Sequence, residues 1–375
     1  MKVGIISMQR ICNYGSYLQA FGLKKMIESL GHEVEFIDYK AGKPLMKSRN
    51  DKIKYVVTTA KKKAIRSVSG SKTMSALLPK DYWFTTRSYR NYKNRYWPVL
   101  GLTKKKQYST KVDTVVIGSD EVFNCLQSNP DVGFSTDLFG GRANADKIIT
   151  YAASFGNTTY DALVNEGVAD TVKNLVSRYN AVSVRDKNSL DIMQRMLPGK
   201  TISENLDPVL MFEFGKRKRK PVDISNYIVV YAYRGRLSEE EIKAIKAFAK
   251  VENKKIVCIG GYHSFADKYV QTSPFHVLDY FENADYVITD TFHGTIFSLI
   301  NHTKFGVLVR NGHGKVYGNS EKLNDLLSRL ECESRIVPSL DKLSETVKAD
   351  LDFDSIDRII KNEHIRTMDY LRTNL

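Results

Sequence analysis

An α/β fold built from two parallel-sheet domains is what this sequence predicts, and three observations carry the prediction. Short β-branched runs alternate with segments of helical period along most of the chain. At 375 residues the chain exceeds one ordinary core and fits two domains of ordinary size. After Asp207-Pro208 comes the basic run Lys216-Arg217-Lys218-Arg219-Lys220-Pro221, which reads as an exposed linker. The expected division is an N-terminal domain over 1–205, a C-terminal domain over 206–350, and a last helix within 351–375 packing back across both. A ligand cleft between two such domains is the simplest architecture.

Residues 3–7 form the first predicted strand. Leu23, Met26, Ile27 and Leu30 then mark one face of a helix that Gly31 stops. Residues 34–39 read as the second strand. A basic insertion over 43–106 interrupts the alternation, which resumes with a strand at 114–117 ending in Gly118-Ser119-Asp120. Residues 147–151 and 181–184 are further short apolar strands. In the second block 227–231 is a strand. Ser238 and Glu241 make a capping box ahead of Ile242, Ile245, Phe248 and Ala249. Residues 255–259 form a strand ending in Gly260-Gly261, 305–309 another, and 355–371 a helix.

The run Ala-Asp-Tyr-Val-Ile-Thr-Asp-Thr-Phe-His-Gly-Thr-Ile-Phe-Ser-Leu-Ile, ending at Ile300, carries the first chemical signal. It reads as a buried strand over 286–289 that breaks at Asp290 and runs into a helix beginning near His293. At such a junction free backbone N–H groups and the helix dipole converge, so α/β proteins bind anions there. Gly294 beside the histidine would let a ligand approach the backbone. A capping or packing histidine is the alternative. Polar Thr289, Asp290, Thr291 and Thr295 around it favour chemistry.

With 42% hydrophobic and 26% charged residues the composition is that of a globular protein. No apolar run approaches the roughly 20 residues of a membrane-spanning helix, and the first strand is too short and too soon interrupted to be a signal peptide. Cys12, Cys125, Cys258 and Cys332 lie far apart without metal-ligand spacing and read as reduced thiols of a cytoplasmic protein.

The net charge of +15 is concentrated. Residues 43–106 hold 18 Lys/Arg against Asp51 and Asp81, a net +16, while the remainder, with 39 Lys/Arg and 40 Asp/Glu, sums to −1. Trp83 and Trp97 both fall in this insertion. Ile53, Val56, Val57, Ala60, Ala64 and Val68 repeat there at helical spacing, crowded by Lys52, Lys54, Lys61, Lys62, Lys63 and Arg66. A basic amphipathic stretch followed by Trp and Tyr suits an anionic membrane surface; a solvated helical face is the alternative. No nucleic-acid-binding motif accompanies the charge, so nucleic acid is not expected as a partner.

Five runs together resemble the polysaccharide pyruvyl transferase family. They are Asn13-Tyr14-Gly15-Ser16-Tyr17-Leu18-Gln19-Ala20, Val116-Ile117-Gly118-Ser119-Asp120-Glu121-Val122-Phe123-Asn124, Ser183-Val184-Arg185-Asp186-Lys187, Asp207-Pro208, and Thr289-Asp290-Thr291-Phe292-His293-Gly294. They occur in the family's order and span most of the chain. The resemblance implies two Rossmann-like domains like those of GT-B glycosyltransferases. It also implies transfer of a pyruvyl group from phosphoenolpyruvate to two hydroxyls of a sugar, with release of phosphate. The acceptor it implies is a lipid-linked saccharide at the inner face of the cell membrane, which the basic insertion would suit.

Under that resemblance His293 matches the family's catalytic histidine and fits the general acid that protonates the donor's methylene carbon. Phosphoenolpyruvate carries a carboxylate and a phosphate, so cations must hold it. Arg185 matches the Ser-Val-Arg position, with an ordinary ion pair as its alternative. Lys322 falls where the family places a downstream basic residue; Arg310 and Lys315 are rivals for that role. Asn13, Tyr14, Gly15 and Gln19 follow the first strand and suit the acceptor. Asp120 is a candidate base for a sugar hydroxyl, or else the N-cap of the next helix. Neither motifs nor composition demands a metal or a cofactor beyond the donor substrate. Two other readings share the features: a GT-B glycosyltransferase using a nucleotide sugar, and a non-catalytic, membrane-associated saccharide-binding protein. Oligomeric state is not legible.

Overall fold

Two compact units make up the structure, a computed structural model that describes residues 1–45, 49–68, 80–127, 129–311 and 318–375. Unit 1 comprises Met1–Cys12, Ser16–Phe212 and Glu363–Leu375; unit 2 comprises Asn13–Gly15 and Glu213–Asn362.

Unit 1 is built on strands β1 (Lys2–Ile6), β2 (Glu33–Phe36), β3 (Lys111–Ile117) and β4 (Asn144–Thr150), all parallel in the order β2-β1-β3-β4. Single parallel bridges from Ile149 to Ala181 and from Ala153 to Val184 continue this sheet into β5 (Val182–Val184) and β6 (Ile202–Glu204). The strands carry near-continuous apolar runs because a parallel sheet is covered on both faces. Val115, Val116, Ile117 and Ile149 are all fully buried. Beneath them Phe123 stacks on Phe139 at 4.6 Å, with Phe155 and Tyr179 beside them. Burying each such ring contributes roughly 1.5–3 kcal/mol. The first helix, Tyr14–Ser29, ends before Gly31, whose φ of +85° is the left-handed stop expected of it.

Unit 2 holds β7 (Tyr227–Tyr231), β8 (Lys255–Ile259), β9 (Lys268–Val270), β10 (Tyr286–Thr289) and β11 (Phe305–Val307), parallel in the order β11-β10-β7-β8-β9. Ile228, Val230, Cys258, Ile288 and Val347 lie in its core. The capping box is present: Ser238 N donates to Glu241 Oε2 at 2.7 Å and Glu241 N to Ser238 Oγ at 3.2 Å. Two sheets of this topology are two Rossmann-like domains. The helix Phe353–Asn374 begins in unit 2 and its last turns group with unit 1, where Tyr370 Oη donates to Thr150 O at 2.8 Å.

The units divide after Phe212. Two local expectations are corrected. The basic run that follows is no free linker. The Arg217 side chain is 8% exposed and pairs through Nη2 with Asp279 at 3.1 Å and Glu282 at 2.9 Å. Those two acids stand three residues apart on the helix His276–Glu282 and so face the run together. Trp97 is buried: it packs edge-on against Tyr89, with the Arg10 guanidinium 5.3 Å above its ring. Arg10 in turn holds Asp38 through Nε at 2.5 Å and Nη2 at 2.9 Å. The end of the basic insertion is therefore fastened to unit 1, and only Trp83, half-buried, remains near the surface.

Candidate active site

Every strand of a parallel sheet ends on the same edge, and in unit 2 that edge gathers the chemistry. β7 leads to Arg234 and Arg236, β8 to Gly260, Gly261 and His263, β10 to Asp290–His293, and β11 to Arg310. Thr291 caps the helix Phe292–Ile300 by accepting from Gly294 N at 2.9 Å. Thr289 Oγ1 donates to Tyr231 O at 2.7 Å and accepts from Thr291 N at 3.1 Å. This hydroxyl pair fixes the turn that delivers His293. The imidazole is 8% exposed and packs against Phe292 and Phe297.

Asp290 is the most strongly constrained group of this edge. Its side chain is fully buried, and among the described residues neither carboxylate oxygen has a hydrogen-bond partner. Arg310 Nε lies 3.5 Å and Arg236 Nη1 4.0 Å from its Oδ2. Burial pushes the Asp290 carboxyl above the usual carboxylate range, and the two arginines only partly offset it. Arg310 is held on its other side by Glu241, with Nη1–Oε1 at 2.9 Å and Nη2–Oε2 at 3.0 Å. Burial works against its charge, but Glu241 and Asp290 outweigh that and raise its pKa. Glu241 thus serves twice, as the capping-box acid and as the anchor of Arg310. Asn319 completes the frame: its Nδ2 donates to Asp290 O at 2.7 Å and its Oδ1 accepts from Arg310 N at 2.6 Å.

The expected residues divide unevenly. Asn13, Tyr14 and Gly15 group with unit 2 rather than with the N-terminal domain. Tyr14 Oη accepts from Thr272 N at 3.2 Å, and a Cβ on Gly15 would fall 2.2 Å from the His293 ring. Gly294 has a packing reason to be a glycine: a Cβ there would stand 2.2 Å from Thr289 Oγ1 and 2.8 Å from the Tyr231 ring. It is a glycine because the helix packs tightly on the sheet. Lys322 is half-buried in the first turn of the helix Ser320–Arg329. Lys315 lies outside the described residues. Arg236 escaped sequence reading, although two arginines directly after a strand's end were a signal for it.

In unit 1 the corresponding edge is a dense polar interior. Arg185 leaves β5 and its Nη1 donates to Asp207 Oδ2 at 2.8 Å, both side chains being almost wholly buried. Burial disfavours the Arg185 charge, but Asp207, Asp120, Asp186 and Glu121 outweigh it. Asp207 also accepts from Ser119 Oγ at 3.1 Å and caps Pro208–Met211 through Val209 N at 2.9 Å. Gln19, expected at the acceptor, is fully buried and donates to Ser7 Oγ at 2.8 Å and Ser16 O at 3.1 Å. Its amide nitrogen is thus committed to the protein interior. Asp120 is no helix N-cap. The segment after it is a turn, its φ is +87°, and its carboxylate accepts from Ser16 Oγ at 2.5 Å and Glu121 N at 2.9 Å. A non-glycine residue there costs on the order of 1–3 kcal/mol, a strain typical of functional positions.

Among the described residues no three or more His, Cys, Asp or Glu side chains gather as a metal site requires, and no helix is long and apolar enough to cross a membrane.

A family model described as polysaccharide pyruvyl transferase matches residues 13–312. No match was found among curated proteins. Solved structures give distant likenesses. A UDP-GlcNAc 2-epimerase of Methanocaldococcus jannaschii, in complex with UDP-GlcNAc and UDP, is 11% identical over 99% of this chain and 100% of its own, with a TM-score of 0.46. UGT89C1 of Arabidopsis thaliana, complexed with UDP-L-rhamnose, is 10% identical over 99% of this chain and 98% of its own, with a TM-score of 0.39.

Proposed function

The chain belongs to the polysaccharide pyruvyl transferase family, and on that premise we propose that it moves pyruvate from phosphoenolpyruvate onto two hydroxyls of a lipid-linked or polymeric saccharide. The observation that carries the reading is the unit-2 edge: a buried histidine at a capped helix start, on the same edge as Arg236, Arg310 and Asp290. A donor with a carboxylate and a phosphate needs such cations, and a guanidinium has five N–H donors to divide between protein and ligand.

In this reading His293 delivers a proton to the methylene carbon of phosphoenolpyruvate. C2 becomes electrophilic and bonds the first sugar hydroxyl oxygen. The C2–O bond to phosphate then breaks, and the second hydroxyl oxygen closes the ketal. Of the two hydroxyl protons released, one balances the new methyl group and one leaves with phosphate. Arg236 and Arg310 hold the donor's anionic groups, and Asp290 keeps both guanidinium groups in place. For the base that takes a hydroxyl proton, Asp120 with its positive φ is the proposed candidate. Arg185, bound to Asp207, acts here as a positioning residue rather than a donor clamp. The acceptor's lipid anchor places the enzyme at the cytoplasmic face of the membrane.

Thermal shift separates the donor classes. Phosphoenolpyruvate is expected to stabilise the protein, and to release inorganic phosphate once a lipid-linked saccharide extract is added. Stabilisation by nucleotide sugars alone would assign a glycosyltransferase instead; stabilisation by saccharide alone, without phosphate release, would assign a binding protein.

A further inference from the structure

The helix Arg49–Val68 in the basic insertion is turned inside out. Successive helical residues are about 100° apart, so Ile53, Val56, Val57, Ala60 and Ala64 share one face, and Tyr55, Thr58, Thr59 and Lys62 the opposite one. A helix on a globular protein buries the first set and exposes the second. Here the reverse holds. Ile53 is 54%, Val56 63% and Val57 47% exposed, with Ala60 and Ala64 also exposed, while the polar set is half-buried. Lys62 is what fastens that polar side: its Nζ donates to Asn129 Oδ1 at 2.6 Å and pairs with Asp131 Oδ2 at 3.1 Å. The apolar stripe is bordered on either side by an exposed lysine, Lys61 and Lys63.

We infer that this outward face docks on an anionic lipid surface, its apolar stripe entering the headgroup boundary and Lys61 and Lys63 meeting lipid phosphates. Charge complementarity selects that occupant. The insertion from 43 to 106 carries a net +16 with only two acids, whereas the rest of the chain sums to −1. Lysines bordering an apolar stripe extend their stems along it and keep their ammonium groups at headgroup level. A second copy of the chain would set this positive face against another like it. The buried Trp97 takes no part; the inverted helix supplies the apolar contact. This inference rests on the exposed face alone and not on the donor chemistry, so it survives or fails independently of the reaction.

Co-sedimentation of the full chain with phosphatidylcholine vesicles, with and without phosphatidylserine, tests it. The chain is expected to bind the phosphatidylserine vesicles, to lose binding as salt rises, and to bind phosphatidylcholine alone weakly. Each engaged lysine is worth roughly fivefold in partition at low salt, so Lys61→Glu with Lys63→Glu should weaken binding by more than tenfold. Val56→Ser with Val57→Ser should weaken it too, with retained salt dependence. All four positions are exposed, and an unchanged melting temperature checks that the variants fold. Absence of binding to phosphatidylserine vesicles, or binding indifferent to both variant pairs, overturns the proposal. So does sedimentation velocity showing that Val56→Ser with Val57→Ser dissociates a dimer without changing vesicle binding.

Discussion

Arg185 and Asp207 form one buried ion pair, Nη1 to Oδ2 at 2.8 Å, joining two sequence motifs that stand 22 residues apart. Asp207 is shared further with Ser119 and with the helix start at Val209. Removing one partner strands a charge where water cannot reach it. Asp207→Ala is expected to destabilise unit 1 by roughly 3–5 kcal/mol, read from the urea midpoint. Arg185→Lys should also destabilise it. If both variants keep wild-type stability but lose phosphoenolpyruvate binding, Arg185 is a donor clamp after all.

His293→Ala is expected to lower phosphate release by roughly 10²–10⁴-fold while the melting temperature stays near that of the wild type. A general acid contributes to the barrier and little to folding. Turnover within a few-fold of wild type would take the proton-donor role away from His293.

Arg236→Ala and Arg310→Ala are each expected to weaken phosphoenolpyruvate binding in calorimetric titration. Losing a charge-assisted contact costs roughly 1.5–3 kcal/mol, about 10- to 100-fold in Kd. The Arg310 variant should lose stability as well, because Glu241 and Asp290 lose their common partner. Unaltered affinity in both would move the donor site elsewhere and bring Lys322 back as a candidate.

Asp290 gives a pH signature. Its folded-state pKa lies above the ordinary value because burial outweighs the two arginines. A carboxyl raised in this way contributes full stability below its unfolded pKa and loses it as pH rises through the folded value. Above that range the wild type carries a buried charge that Arg236 and Arg310 only partly offset. Asp290→Asn should therefore raise the melting temperature at neutral and alkaline pH, with a gain that shrinks as pH falls toward about 4. A gain independent of pH, or a loss at neutral pH, contradicts this account.

The sheets were legible because parallel strands buried on both faces must be apolar throughout. Residues 227–231, 255–259 and 286–289 were each read to the residue, and the helix after Asp290 to within one. β6 and β9 went unread: they are as short as β5 and β11 but lack an apolar run, because Ser203, Glu204 and Lys268 fill them. The capping box at Ser238 and Glu241 was legible because its two bonds are local.

What the sequence determined by itself was therefore whatever depends on near neighbours: the strands, the helix starts and stops, and the strand–helix junction that presents His293. Tertiary structure decided the partners of each charge, because long-range pairing has no local trace. Glu241 reaches Arg310 across 69 residues and Lys62 reaches Asp131 across 69. Arg217 likewise reads as solvated until the acids on His276–Glu282 are brought against it. The same holds for the helix Arg49–Val68. Its amphipathic period is written in the sequence, but period alone does not say which side faces water. That was settled by Lys62, whose anchors lie outside the helix, and it turned the apolar side outward.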